Sequence, residues 1–484
     1  MKITLIEPKA PNLHIFSKFP LPRLGTILLG TIAKQNGWEA SVMVEEQAEI
    51  DWNEIAASDI VGISTITSTA PRAYAIADRV RSMGITVVMG GPHVTFLPDE
   101  ALGHCDFVIR GEGETAFPLF LKAVEDEGDL EEVPNLSYKI NGDIRHNMNQ
   151  AVPVDLDSLP YPDFSLIKGK PKRIAGWRLI PFQTSRGCPF DCSFCSVTGM
   201  FGRRYRYRSI EHIINELRLY DDRKHDIFFY DDNFGANSKR AAELLKAMEA
   251  KKFKFRWSTQ VRVDFAGDED LVRLMKRAGC HTVYIGFESV NEESLKSVKK
   301  QQSLAEMERA ARIFQKHHIH VHGMFILGLE NDSFASVKDT VRFAKRYRLN
   351  SSQFLILTPL PGTRCYEDLL SEGRIRFSDW SLYDAHHVVF QPKNFSLEEL
   401  QRAQIWAHRR FYSPLQSLRR LLRFRFMDIA IAWYARSLNA HWNRKNKLFL
   451  KLLNLLKPRK GTKIVADFRQ NVLLDTKNSS FHHS

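Results

Sequence analysis

The chain has 484 residues, 44% of them hydrophobic, and a formal net charge of +13 at pH 7. That length and apolar share suit about two to four globular domains and exclude a disordered or fibrous chain. Six cysteines, three of them crowded into one short stretch, exclude a disulfide framework and point to a reducing, cytoplasmic setting.

The N-terminus reads as a strand rather than a signal peptide, and no apolar run reaches transmembrane length. Residues 2–6, 40–44, 59–64, 85–89 and 106–109 read as strands. Residues 23–37, 70–83 and 117–125 read as helices, with Gly37 as a stop. This alternation predicts an α/β domain over residues 1–140, built on a doubly wound, Rossmann-like parallel sheet. Ligands of such sheets lie beyond the carboxyl ends of the strands. The turns there carry Ser64 and Thr65, then Gly90, Gly91, Pro92 and His93, then Gly111 and Glu112. Residues 141–176, with Pro153, Pro160, Pro162 and Pro171, predict a linker with a small hairpin at Asn141-Gly142.

Residues 177–375 alternate strand and helix six times, which predicts a partial (β/α)6 barrel, open on one side, with its chemistry at the carboxyl ends of the strands. Those ends carry Asp231 and Asp232, then Ser258, Gln260 and Arg262, then Glu288 and Ser289, then the stretch from Gly323 to Gly328. The loop after the first barrel strand reads Cys188-Pro-Phe-Asp-Cys192-Ser-Phe-Cys195. Three thiolates so spaced can converge on one small object. An iron–sulfur cluster normally takes four cysteines, so three leave one iron open to another ligand. Structural zinc wants four closed ligands at other spacings, and plain buried thiols are the third reading.

His317, His318, His320 and His322 alternate along one stretch, which suggests a metal only weakly because no paired acids accompany them. His386 and His387 either line a substrate mouth or cap a loop. Residues 376–484 predict a basic helical region that opens with a capping box at Ser396. Between Gln401 and Lys463 stand sixteen Lys or Arg against one acid, Asp428, interleaved with Phe411, Phe424, Phe426, Trp433, Trp442 and Phe449. Leu448, Leu452 and Leu455 share one helical face. Such helices either lie on an anionic membrane surface, or pack on the barrel with their arginines in water, or bind nucleic acid, the weakest of the three. The tail after Asp467 reads as disordered.

The spacing Cys-x3-Cys-x2-Cys, with Phe194 before the last cysteine, resembles the signature of the radical SAM enzymes. The resemblance implies that Cys188, Cys192 and Cys195 hold a [4Fe–4S] cluster whose open iron takes the amino and carboxylate groups of S-adenosylmethionine (SAM). An external donor of flavodoxin or ferredoxin type supplies the electron, and SAM splits into methionine and a 5′-deoxyadenosyl radical. By the same resemblance Asp231 and Asp232 meet the SAM amino group. Ser258, Gln260, Arg262, Glu288 and Ser289 lie on the rest of SAM, and the adenine rests on backbone between Gly323 and Gly328.

The N-terminal stretch resembles the cobalamin-binding domain that precedes the radical core in one large subfamily. Residues 20–25, 62–65, 90–93 and 111–114 carry this likeness, and residues 358–363 match that subfamily too. It implies cobalamin contacts at Ser64, Thr65, Gly90, Gly91, Pro92, His93, Gly111 and Glu112. The Asp-x-His-x-x-Gly motif of cobalt-ligating carriers is absent; that place reads Glu7-Pro-Lys-Ala-Pro-Asn-Leu-His14. Either cobalt has no protein histidine, or a flavodoxin-like domain has lost its ligand. The resemblance covers residues 1–395. It implies a methyltransferase that acts on an unactivated carbon of an organic substrate, a lipid or isoprenoid among the options, in the cytoplasm or peripherally at a membrane. Its rivals are cyclisation, cross-linking or oxidation on the same architecture, and a non-enzymatic cobalamin sensor. An RNA methylthiotransferase would need three further cysteines in the first domain, which has only Cys105.

Overall fold

The computed structural model describes residues 1–12, 21–148, 153–422 and 424–456. His14, Pro20 and everything beyond residue 456, including four of the cations counted above, lie outside them.

Short runs rich in Ile, Val and Met form β1 (Lys2–Glu7), β2 (Glu39–Val44), β3 (Ile60–Ser64), β4 (Thr86–Gly90) and β5 (Phe107–Ile109). Near-continuous apolar runs suit parallel strands covered on both faces. These pair in parallel in the order β2-β1-β3-β4-β5. The order reverses between β1 and β3, which opens a crevice at their carboxyl ends. β6 (Leu136–Ile140) and β7 (Asp143–His146) extend the far edge antiparallel. The expected hairpin therefore forms, with Asn141 and Gly142 at φ 52° and 93°. Its second strand belongs to the first sheet and not to a free linker. The rest of that segment leans on the same domain: Ile167 bridges Val42, and Asp163 meets Lys34 at 2.8 Å.

The second sheet is a curled, all-parallel half-barrel. It runs β8 (Arg178–Phe182), β11 (His225–Phe229), β12 (Arg256–Val261), β13 (Cys280–Glu288), β14 (His320–Leu327) and β15 (Ser351–Ile356). The two-residue strands β9 (Ser185–Arg186) and β10 (Arg206–Tyr207) pair antiparallel and clip the cysteine loop between them. Side-chain caps start the outer helices where the sequence places them: Ser209, Asn237, Asp268 and Ser303 each accept a backbone N–H of the first turn.

The exposed edge of β15 is covered, and this alters one expectation. The helix Leu397–Phe411 presents Gln404 and His408, with Tyr412 just past its end, at four-residue spacing. Gln404 and His408 reach the Phe354 carbonyl, each at 3.1 Å, and Tyr412 donates to the Ser352 carbonyl at 2.8 Å. These side chains satisfy the backbone groups that an edge strand leaves unpaired. The half-barrel, expected open on one side, is thus covered by protein along this edge.

One apolar cluster runs from the helix Ala70–Ser82 through the barrel to the C-terminal helices, and a second closes the other face of the first sheet. The capping box at Ser396 forms with Glu399. Of the six C-terminal aromatics, Phe411, Trp442 and Phe449 are buried, whereas Phe424, Phe426 and Trp433 are exposed. The expected leucine face of the last helix splits: Phe449 and Leu453 point into the core, while Leu448 and Leu455 are in solvent. No helix among the described residues is long and apolar enough to cross a membrane.

Candidate functional site

The cysteine loop is held by backbone, not by its thiols. Ser193 N–H donates to the Val298 carbonyl at 3.2 Å, Cys365 N–H donates to the Ser193 carbonyl at 3.0 Å, and Asp191 pairs with Arg364 at 2.8 Å. Gly187 turns the chain into the loop at φ 85°, where a Cβ would sit 2.5 Å from the Arg204 carbonyl. Only glycine tolerates that approach. Cys188, Cys192 and Cys195 are half-buried and free. They lie within electrostatic reach of one another. Burial raises all three thiols, Cys195 up to about 12. A positively charged metal centre would supply the missing counter-charge and deprotonate them. With three thiols and no fourth cysteine or histidine close behind them in the sequence, the loop lacks the four closed ligands of a structural zinc site.

The two acids after β11 have separate jobs. Asp231 is fully buried and accepts the Thr184 N–H at 2.6 Å, the Thr184 hydroxyl and the Ser185 N–H at 3.2 Å. It clamps the entry to the cysteine loop and has no face left for a ligand. Asp232 accepts the Gly187 N–H at 2.9 Å and lines a cavity shared with the first sheet. Burial pushes its carboxyl up to about 6. Neither acid caps the following helix; Asn237 does.

That cavity, about 470 Å³, lies between the carboxyl ends of the first sheet and the mouth of the half-barrel. Ser64, Gly90, Gly91, Pro92, Gly111 and Glu112 line it, as sequence placed them. Gly91 is at φ 101°, and a Cβ there would meet the Thr65 carbonyl at 2.5 Å. Thr65 and His93 do not line it. Thr65 is buried in that close approach. His93 packs under the loop after the barrel, 5.1 Å from the Trp380 ring and 3.7 Å from Glu100. The barrel side contributes Gln183, Arg186, Met200, Phe201, Tyr230 and Asp232. No histidine is among the described residues that line it.

Glu112 has a second task. With Glu114 it holds the Arg186 guanidinium, Glu112 at 2.8 Å, and it also pairs with Arg206. This buried network ties the turn after β5 to the clip around the cysteines.

The other residues expected around SAM fall into two groups. Arg262 stacks 3.6 Å over Phe190 of the cysteine loop and donates to the Gln301 carbonyl at 2.6 Å. Glu288 sits at φ 56°, a left-handed conformation that costs a non-glycine residue about 1 kcal/mol or more, and pairs with Lys300 at 2.9 Å. Both lie within electrostatic reach of Cys192. Ser258 is buried along β12, Gln260 is half-buried two residues on, and Ser289 accepts the Asn291 N–H at 3.1 Å. The two glycines meet apolar side chains where a Cβ would stand. A Cβ at Gly323 would meet Leu349 at 2.6 Å, and one at Gly328 would meet Leu400 at 2.6 Å. Both make room for apolar packing on that side of the chain.

The histidines do not converge. His317 pairs with Glu269 at 2.9 Å, His318 sits in a turn, and His322 bonds Ser351 at 2.7 Å while burial holds it down to about 4. His387 is fully buried between Asp384 at 2.9 Å and Asn446 at 3.0 Å, which makes it a clasp for the last helices. His386 accompanies it, 3.2 Å from Gln404.

Arg186, Arg206 and Lys300 were missed by sequence reasoning, and Tyr230 was read only as part of the segment that carries Asp231 and Asp232. The signal for Arg186 was its place two residues before Cys188; nothing local pointed to Arg206 or Lys300.

Comparison with known proteins agrees with this geometry. Residues 182–344 match the Radical SAM superfamily, and residues 17–121 match the B12 binding domain. An uncharacterized methyltransferase of Pyrococcus horikoshii is 34% identical over 73% of this chain and 78% of its own. Bacteriochlorophyllide d C-12(1)-methyltransferase of Chlorobaculum tepidum is 31% identical over 87% of this chain and 89% of its own. In fold the chain resembles OxsB, solved with aqua-cobalamin and S-adenosylmethionine, at a TM-score of 0.67 and 16% identity over 96% of this chain and 77% of that one. It also resembles the methyltransferase TsrM of Kitasatospora setae, at 0.63 and 17% over 77% and 75%. The three cysteines at the barrel mouth, the cavity shared with the first sheet and these relatives place the chain in the family of cobalamin-dependent radical SAM methyltransferases.

Proposed function

We propose that the protein methylates an unactivated carbon of an apolar organic substrate held between the cavity and the cysteine loop. The observation that supports this most is the shared cavity, which puts Gly91 and Gly111 of the first sheet opposite Asp232 and Tyr230 of the barrel. A methyl carrier and a radical source can then meet one substrate carbon. Cys188, Cys192 and Cys195 would hold the cluster. Asp232 would take the SAM ammonium by a charge-assisted bond, because Asp231 is already fully engaged. Arg262, Glu288 and Gln260 would border the rest of SAM. Ser64, Gly90, Gly91, Pro92 and Gly111 would face the corrin, with Glu112 behind them. When bound, the cluster and SAM supply the radical and cobalamin supplies the methyl group; the chain contributes position and dryness.

Two relatives are named for bacteriochlorophyllide d, so a chlorin-type macrocycle is the first substrate class to offer. Support for a lipid or isoprenoid comes only from the basic C-terminal helices, which also suggest that the enzyme works at a membrane surface. Relatives named anaerobic magnesium-protoporphyrin IX monomethyl ester cyclase favour a second outcome, ring closure without methyl transfer. Product analysis of the anaerobic, reconstituted enzyme with an external reductant separates the two. Methyl transfer yields S-adenosylhomocysteine and 5′-deoxyadenosine together, along with a methylated product. Cyclisation yields 5′-deoxyadenosine without S-adenosylhomocysteine, and that result would overturn the first reading.

The cavity lining gives a further expectation. Cobalamin bound there should have no protein imidazole on cobalt, since the described lining holds no histidine. Electron paramagnetic resonance of the cobalt(II) form should show no axial nitrogen splitting from a histidine labelled with nitrogen-15. A splitting that changes with the label would refute it.

A further inference from the structure

The helix Pro414–Leu421 is built inside out. Leu415, Leu418, Leu421 and the next residue, Leu422, recur at three- and four-residue spacing and so share one face. Yet they are between 48% and 72% exposed. The buried residue of this helix is Arg420. Its guanidinium donates to the Asp428 carbonyl at 3.3 Å and the Asn350 carbonyl at 3.5 Å and lies over the rings of Phe411 and Tyr412. A helix packed for stability alone would bury its leucines and expose its arginine. The turn that follows holds Phe424, 81% exposed at φ 55°, with the exposed ring of Phe426 6.3 Å away. Trp433 continues the apolar surface, seven residues past Phe426 on the next helix and also exposed.

The charge around this surface has one sign. Between Gln401 and Leu456 the single acid is Asp428, which is buried and paired with Arg425. Arg409, Arg410 and Arg419, which precede and interleave the leucines, are exposed. Burial, and to a smaller extent Arg410 and Arg419, push the Lys345 ammonium down to about 8. A second copy of the chain would set this face against another of the same sign. A bilayer with anionic headgroups meets both needs, with hydrocarbon for the leucines and Phe424 and phosphates for the arginines.

We propose that the helix Pro414–Leu421 and the turn carrying Phe424 and Phe426 form the docking surface for an anionic phospholipid bilayer, with Phe424 at the inserted tip. This rests on the membrane setting suggested above and names the element that makes it. The surface lies at the rim opposite the cysteines. Arg420 and Asp428 bond Asn350, and Arg425 bonds Arg348, residues that lead into the amino end of β15. Docking therefore tethers the enzyme with its catalytic end turned away from the bilayer, and changes at the tip leave the cofactor site alone.

Vesicle flotation of the full-length reconstituted protein tests this. The probes are vesicles of phosphatidylcholine alone and of phosphatidylcholine mixed with phosphatidylglycerol. The parent protein should float with the mixed vesicles, stay behind with the neutral ones, and be released by high salt. Leu418→Glu combined with Phe424→Glu should lower the floated fraction about tenfold or more, since charge replaces apolar burial. Cluster absorbance and 5′-deoxyadenosine formation of that variant should match the parent. Equal flotation of the parent with both vesicles, or of variant and parent alike, overturns the proposal. So does a dimer of the parent in solution that the variant dissolves. A parent that floats as expected but makes no 5′-deoxyadenosine would leave docking standing and defeat the radical chemistry instead.

Discussion

Replacing Cys188, Cys192 and Cys195 together by Ala should abolish the visible absorbance of the cluster and reduce SAM cleavage to background. The physical reason is that these thiols serve no packing purpose. They are half-buried, unbridged and held by a loop whose own anchors are the Ser193–Val298 and Cys365–Ser193 backbone bonds and the Asp191–Arg364 pair. The cofactor-free variant should thus unfold within about 1 kcal/mol of the cofactor-free parent, the usual range for changes away from a packed core. Cys105 and Cys280 provide the opposite control. Both are buried in the apolar core. Cys280→Ala should cost about 1 kcal/mol or more of stability through lost packing while iron and sulfide content stay unchanged. Anaerobic absorbance, iron and sulfide analysis and 5′-deoxyadenosine yield measure all of this. A triple variant that still forms 5′-deoxyadenosine would remove the assignment of the cluster.

The contrast between those cysteines shows what a sequence can carry. A ligand set held on one short loop is legible because its spacing is its geometry. The alternation of strand and helix is legible for the same reason, and both sheets form where it puts them. What depends on which way a neighbouring residue faces is not legible. Asp231 and Asp232 are adjacent and chemically identical, yet one is swallowed by Thr184 and Ser185 and the other opens on the cavity. Thr65 and His93 belong to the right turns, but one is consumed by the approach of Gly91 and the other by Trp380, 287 residues further along the chain. The leucine stripe of Pro414–Leu421 was visible as a pattern, and its outward orientation could not be, because only tertiary contacts made Arg420 the buried side.

Arg186→Met should destabilise the protein by about 3–5 kcal/mol, the range seen when one member of a buried ion pair is removed and the other charge is left behind. The Arg186 side chain is 6% exposed, with Glu114 equally buried and Glu112 nearly so. Its third bond goes to the Gln183 side chain at 2.9 Å. The fork therefore fills a largely buried seam between the turn after β5 and the residue that leads into Gly187 and Cys188. Without it Glu114 loses the partner that holds it, and Glu112 keeps only Arg206. Arg186→Lys should fall between parent and Met variant, because a single ammonium cannot make the two-pronged contact. Adding Glu114→Gln to Arg186→Met should recover about 1–3 kcal/mol, as expected for residues in one network. Denaturant unfolding of the cofactor-free chain and of the three variants of that cycle gives the energies, and cobalamin titration reads the cavity beside them. Cobalamin affinity should fall along with stability, since Glu112 and Glu114 both line that cavity. Parent-like unfolding of Arg186→Met, or purely additive effects of the two substitutions, would mean that the seam is held by its apolar contacts and that Arg186 does not couple the first sheet to the cysteine loop.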